Sequence, residues 1–289
     1  MTSFEPLSTL RLVLGESPIW DARRGVIFVC DITAGRVLAI GLDGRMAGDW
    51  TFGVPVGALS LCDSGRLVVA LDRKIILFDP ENGGSHTLAL VEAEPEGNRL
   101  NDGKVGPDNA FWVGSMNPDG RPVAALYRLG TDGRLERRKA GLRVSNGLAW
   151  SPDGRRLYHS DSAGCWIETH DFDVLTGAIG PARRLVEQDE AQGRPDGAAM
   201  DIEGCYWSAG VSAGRLNRFD ADGRLLATFP VPLAAPTMPC FCGPNLETLV
   251  LTSHRHLPAE RLSTNPLNGA VLIAPAPVAG APIPRMRGL

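Results

Sequence analysis

The sequence predicts an all-β fold, a six-bladed β-propeller, and three features predict it. The first is punctuation: with 34 Gly and 22 Pro in 289 residues, few windows of a dozen residues are free of a helix breaker, so long helices are disfavoured. The second is a recurrence of short apolar runs, each suited to a strand. Their second residues fall at 27, 68, 112, 158, 207 and 250, at intervals of 41 to 49 residues, the spacing of a propeller blade of four antiparallel strands. The third is that turn chemistry recurs in step with those runs. A β-sandwich also uses many short strands but has no need of six units of near-equal length.

The units follow one another along the chain. The apolar runs are Val26–Val29, Leu67–Ala70, Phe111–Val113, Leu157–His159, Tyr206–Ser208 and Leu249–Leu251. Each is preceded by a turn signal, such as Asp21 to Gly25, Asp63-Ser64-Gly65, Pro152-Asp153-Gly154 or Ile202-Glu203-Gly204. Most are followed by a third strand that ends in another turn, as in Arg36–Ile40 before Asp43-Gly44, Lys74–Phe78 before Asp79-Pro80 and Arg215–Phe219 before Asp222-Gly223. Six such cycles fill residues 1–289. A single domain is expected, its ring closed by an N-terminal strand at Leu10–Leu14.

Composition narrows the function. The chain is 44% hydrophobic and 21% charged, a globular balance. A net charge of -4 argues against a nucleic-acid partner, since phosphate contact calls for a basic surface. The run Arg137-Arg138-Lys139 reads as a solvated loop face. No stretch has the length of a membrane-spanning helix, and Met1 to Trp20 has no basic leader segment, so neither membrane nor export is expected and the cytoplasm is the expected compartment. The six cysteines are then expected to stay reduced, with Cys240 and Cys242 as two small side chains on one strand face.

The chemistry lies in polar residues that share one phase of the repeat. The innermost strands of a propeller line a central channel, and their first residues cluster at one mouth. Counting back 11 or 12 residues from the markers lands on Glu16, Asn101, Asn146 and Asp196; in the other two units the same phase falls near Gly57 and Pro239. Turn preference alone is the competing explanation for Asn146-Gly147 and Asp196-Gly197. Against it, carboxylates converging on one axis repel unless a cation is present. Two carboxylates and neutral amide oxygens form a hard, oxygen-only pocket suited to a divalent ion. Three protein ligands leave positions for water and substrate. Arg99, two residues before Asn101, shares its strand direction and suits either an acid partner or a substrate oxygen. His254-Arg255-His256 reads as a surface loop or a channel-mouth segment, and His159 as core or channel packing. No phosphate-binding glycine loop occurs.

The segments Leu14–Trp20, Asn98–Lys104, Phe111–Met116, Val144–Gly154, Arg194–Gly197 and Met238–Gly243, in this order and spread over nearly the whole chain, resemble the regucalcin (senescence marker protein), gluconolactonase and luciferin-regenerating-enzyme family. That resemblance implies a six-bladed propeller with one divalent metal in its channel and hydrolysis of a sugar-acid lactone, such as glucono-, xylono- or arabinonolactone. It implies Glu16, Asn146 and Asp196 as metal ligands, with Asp196 also catalytic, and Arg99, Asn101 and Asp119 as substrate contacts. Ser115 and Cys242 depart from the family's usual residues. The ion expected is Ca²⁺, Zn²⁺, Mn²⁺, Mg²⁺ or Fe²⁺, which the ligand set does not discriminate. Two alternatives stand beside this one: a lactonase or esterase for a non-sugar ester on the same fold, and a non-catalytic Ca²⁺-binding regulator.

Overall fold

The structure is a computed structural model that describes residues 3–255 and 265–288. It is an all-strand, six-bladed β-propeller. Blade 1 runs through Gly15–Asp21, Val26–Asp31, Arg36–Gly41 and Met46–Thr51; blade 2 through Val56–Leu61, Leu67–Leu71, Lys74–Phe78 and Ser85–Leu90. Blade 3 comprises Arg99–Val105, Phe111–Met116, Ala124–Leu129 and Leu135–Leu142. Blade 4 comprises Ser145–Trp150, Arg156–Asp161, Trp166–Asp173 and Arg183–Glu187, with Ala178–Ile179 added to the third strand. Blade 5 comprises Pro195–Met200, Tyr206–Gly210, Arg215–Phe219 and Leu225–Pro230. Blade 6 takes Pro236–Cys242, Thr248–Ser253 and Leu272–Pro275 from the end of the chain and Glu5–Pro6 from its start. Each innermost strand packs against the next, and the last against the first. Among the described residues no helix is long and apolar enough to cross a membrane.

The apolar markers are unbroken runs because each blade is covered on both faces. Along a strand, side chains alternate between faces. Phe28 and Cys30 enter the core between blades 1 and 2, whereas Ile27 and Val29 enter the core between blades 6 and 1. Among the described residues the buried core divides in this way into six clusters, one per blade interface. Burying a side chain of this size contributes roughly 1.5–3 kcal/mol. Aromatic rings fill the wider interfaces: Trp112, Trp150 and Phe172 meet edge to face at 5.7–6.1 Å between blades 3 and 4. A turn aspartate also recurs as an anchor. Asp108 accepts from Trp112 Nε1 at 3.2 Å and Arg128 Nε at 2.7 Å, and Asp201 from Trp207 Nε1 and Arg218 Nε, both at 2.8 Å.

Two expectations are corrected. Leu10–Leu14 is not the closing strand; the outermost strand of blade 6 is Glu5–Pro6, paired with Leu272 and Ile273. The Arg11 guanidinium binds the carbonyls of Leu10, Ser8 and Pro266, and Leu12 turns wholly into the core between blades 6 and 1. Only Leu14 of this segment forms a bridge, to His254. Arg137-Arg138-Lys139 is not a loop but lies in the outer strand of blade 3, where Lys139 pairs with Glu168 of blade 4.

The two mouths of the channel differ. Where the inner strands end, the C-terminal segment crosses from blades 5 and 6 to blades 1 and 2. Ala281 N donates to Met200 O at 2.9 Å, Gly280 N to Leu246 O at 2.8 Å, and Met286 N to Leu61 O at 2.9 Å; Arg285 binds Asp21 at 2.8 Å. The cavity beneath this strap is lined mainly by apolar side chains such as Trp150, Met200, Phe241 and Ile283. The polar residues of the repeat lie at the other mouth.

Candidate metal centre

Each innermost strand slips in register against its neighbour at the same place. The slips fall between Glu16 and Ile19, Val56 and Ala58, Leu100 and Gly103, Asn146 and Ala149, Pro195 and Ala198, and Pro236 and Pro239. Such bulges bend a strand and re-aim its side chains, and here they fall at the phase that holds the site residues. At Ser17 the backbone is left-handed, with φ of 49°. Its hydroxyl accepts from Leu59 N at 3.0 Å, which ties blade 1 to blade 2 beside Glu16. Gly147, with φ of 64°, follows Asn146 where a Cβ would come within 2.3 Å of Tyr206 Oη, so no side chain fits there.

Two further aspartates steady the strands that carry Glu16 and Asn146. Asp31 accepts from the backbone N–H groups of Val13 and Leu14, just before Glu16, at 3.0 and 3.1 Å. Asp161 does the same for Arg143 and Val144, just before Asn146, at 2.7 and 3.1 Å. Blades 1 and 4 use one device for the same purpose.

Glu16, Asn101, Asn146 and Asp196 are all buried. Asn101, Asn146 and Asp196 form with Arg99 one chain of donors and acceptors, while Glu16 accepts from Ser17 N at 3.1 Å and feels the charges of Asp196 and Arg99. Arg99 Nη1 donates to Asn101 Oδ1 at 2.8 Å; Asn101 Nδ2 donates to Asn146 Oδ1 at 2.9 Å; Asn146 Nδ2 donates to Asp196 Oδ1 at 2.6 Å and to Ser162 Oγ at 2.7 Å. Burial pushes the Glu16 carboxyl well up, and the charges of Asp196 and Asp102 push it further. Asp196 rises to about 7, again through burial first and with Asp102 adding to it, against the opposing pull of Arg194 and Arg99. Arg99 is brought down to about 10 by burial, opposed by Glu16, Asp72 and Asp196.

This is a site short of positive charge. The charge of Asp196 raises the buried Glu16 carboxyl, and an ion that binds both removes that repulsion. The converging donors are oxygens, the set a hard divalent cation takes. Asn146 joins that set when its amide turns its oxygen inward. The residues therefore fit a divalent metal, which Glu16, Asn146 and Asp196 would hold. A second group that meets simple distance criteria, Asp201, Glu203 and Cys205, is different in kind. Arg218 already binds Asp201 at 2.8 Å and Glu203 at 2.6 Å, so that aspartate anchors the turn.

Five of the six expected site residues are thus brought together. The sixth, Asp119, lies on an exposed turn, where its side chain reaches Arg121 Nε at 3.7 Å. His254 pairs with Leu14 and so sits at this mouth, while His256 lies outside the described residues. His159 is wholly buried, with Nε2 2.8 Å from Ser145 Oγ. All six cysteines are free, and Cys240 and Cys242 are buried.

Sequence reasoning missed Asp102, Lys104, Ser162 and Arg194. Asp102 accepts from Leu148 N at 3.0 Å on one oxygen, and its other oxygen is buried without a partner. Lys104 Nζ donates to Ala198 O at 2.7 Å. Charged residues at alternate positions of a buried strand were the signal that marked Asp102 and Lys104. Ser162 lies in a turn that the repeat phase does not reach.

Residues 14–255 match the SMP-30/Gluconolactonase/LRE-like region, and the chain belongs to that family. It is 37% identical over 281 residues to a 6-deoxy-6-sulfogluconolactonase from Pseudomonas putida, an alignment that covers 96% of each chain. It is 32% identical over 247 residues to regucalcin from Xenopus laevis, with 83% of each covered. Among solved structures, the calcium-binding protein regucalcin from Agrobacterium tumefaciens superposes with a TM-score of 0.92 at 28% identity, over 99% of this chain and 98% of that one.

Proposed function

We propose that this chain is a metal-dependent hydrolase that opens a sugar-acid lactone to the free aldonic acid. The observation that carries this reading is the hydrogen-bonded run Arg99–Asn101–Asn146–Asp196 at the mouth of the channel, with buried Glu16 close enough to feel the charges of Asp196 and Arg99. The near full-length similarity to a sulfogluconolactonase supports it. A bound divalent cation supplies Lewis acidity toward the lactone carbonyl. Asp196, ionised beside the cation, takes a proton from the attacking water. The water oxygen bonds to the carbonyl carbon, the ring C–O bond breaks, and the proton passes to the departing ring oxygen. Asn101 and Arg99 donate to the sugar's oxygens and fix the ring against the carboxylates. The six free cysteines, five of them buried, accord with work in the cytoplasm.

The test is proton release from a panel of aldonolactones by chelator-stripped protein, with and without Ca²⁺, Mg²⁺, Mn²⁺, Zn²⁺ or Fe²⁺. Metal-restored turnover is expected, and the most effective ion identifies the metal. Tight metal binding with no turnover of any lactone would overturn the reading in favour of a cation-binding protein.

A further inference from the structure

Two backbone carbonyls set the direction of the hydrogen-bonded run at the mouth. A carbonyl oxygen only accepts, so whatever bonds to it must donate. Asn101 Nδ2 lies 3.1 Å from Ser145 O, which fixes the nitrogen of that amide and leaves its oxygen to Arg99. The same nitrogen meets Asn146 at 2.9 Å, and Asn146 can answer it only with Oδ1. At the other end, Ser162 Oγ lies 2.6 Å from Pro195 O and 2.7 Å from Asn146 Nδ2. A hydroxyl has one proton to give, and Pro195 O takes it. The Asp196 carboxyl, which Ser162 also lowers through a hydrogen bond, is equally a pure acceptor once ionised. Toward Asn146 the hydroxyl therefore presents a lone pair, and only the amide nitrogen satisfies it.

Ser162 is itself firmly placed. It is buried in the link between the second and third strands of blade 4. Its backbone N–H donates to Val144 O at 3.0 Å, two residues before Asn146. Its neighbour Asp161 holds the N–H groups of Arg143 and Val144. Asp161 thus steadies the backbone that leads into Asn146, whereas Ser162 reaches the side chain. The hydroxyl also spans two blades, from Asn146 of blade 4 to the Pro195 carbonyl beside Asp196 of blade 5.

On the metal-centre reading above, we propose that Ser162 is a positioning residue for the cation: it grips the Asn146 carboxamide by its nitrogen and so reserves the oxygen for the ion. Asn146 Nδ2 has two protons, one on Ser162 and one on Asp196 Oδ1 at 2.6 Å. When Asp196 takes the ion, the second bond is given up and the first stays as the tether on which the amide turns. A carboxylate at 146 would set oxygen against oxygen unless the hydroxyl abandoned Pro195 O. Ser162 therefore also favours an amide over an acid as the third ligand. A partner that orients a metal ligand in this way typically contributes about 10- to 100-fold in metal affinity.

The test is calorimetric titration of Ca²⁺ and Mn²⁺ into chelator-stripped wild type, S162A, S162T, N146A and the double variant S162A/N146A. Melting curves in chelator confirm that each is folded. S162A should weaken the tighter-binding ion by about 10- to 100-fold. S162T keeps the hydroxyl and should recover most of that loss. In the N146A background the same S162A change should alter affinity by less than about 3-fold, because the side chain it acts through is gone. Lactone turnover by S162A should need about 10- to 100-fold more metal for half-activation, while kcat at saturating metal falls much less. An unchanged metal affinity in S162A would overturn the proposal. So would an equal loss with and without Asn146, the mark of a hydroxyl that supports only the fold or Asp196. If the ions bind but no lactone is turned over, the lactonase reading fails alone, and the affinities still decide the role of Ser162. If neither ion binds the wild type, the metal centre and this role fall together.

Discussion

Glu16 and Glu168 are both buried glutamates, yet the protein treats them in opposite ways. Glu16 in the channel is pushed up, because burial and the neighbouring Asp196 and Asp102 all disfavour its charge. Glu168 in blade 4 is held far below the ordinary range. Burial works against its charge there too, but His159, His170 and Lys139 outweigh it. Its Oε1 lies 3.1 Å from His170 Nε2 and 3.5 Å from His159 Nδ1, and it pairs with Lys139. Burial does not decide the ionisation of a carboxylate; the cation beside it does. Glu168 has Lys139 of blade 3 beside it, whereas Glu16 is flanked by two further carboxylates.

The sharpest way to break this comparison is to remove one carboxylate from each region. Asp196→Asn should abolish metal binding by calorimetry and lower lactone turnover by at least about 10³-fold. The same change should raise the melting temperature of the chelated protein at pH 8, because it deletes a repelling charge. Glu168→Ala should do the reverse. It leaves turnover and metal affinity near wild type but costs about 3 kcal/mol in urea unfolding, since Lys139 and two histidines lose their buried partner. If both variants destabilise the chelated protein alike, the contrast between the regions is wrong.

pH sharpens the same point. Asp196 titrates near 7 in the fold and near 4 in the unfolded chain. Its shift is upward, so the metal-free protein should lose stability as pH rises from about 4 through 7. A saturating divalent ion should flatten that slope, because a metal-bound carboxylate stays ionised. Glu168, shifted downward, contributes above pH ~4 and is lost only in acid. Melting temperatures from pH 5 to 8, with chelator and with metal, check the sign. Smaller effects test the rim. Asn101→Ala should raise KM about 10-fold through lost hydrogen bonds to substrate, with kcat less affected. Asp119→Ala should stay within about 2-fold of wild type, since its contact with Arg121 is an exposed pair; a 10-fold rise in KM would instead bring Asp119 into the substrate site.

Much of the site was legible because a propeller repeats. Glu16, Asn101, Asn146 and Asp196 share a phase, and the structure gives that phase a physical form, the bulge common to all six inner strands. The closing strand was misplaced for the opposite reason. Leu10–Leu14 is apolar enough for a strand, but Arg11 captures three carbonyls and Leu12 fills a blade interface, and neither choice shows in hydropathy. Lys139 read as solvent-facing because its partner, Glu168, lies 29 residues away on another blade.

By itself the sequence determined the number of blades, the unbroken apolar strands and the shared phase of Glu16, Asn101, Asn146 and Asp196. All of these are local patterns repeated at a fixed period, and short-range chain geometry is enough to express them. The tertiary structure alone decided which charges meet. It set Glu16 beside Asp196, gave Glu168 a lysine from blade 3 and two histidines from its own blade, left Arg194 Nε without a partner, and laid the C-terminal segment over the far end of the channel. The reason is that Coulomb energy depends on distance and burial in space, which become defined only when the ring is closed.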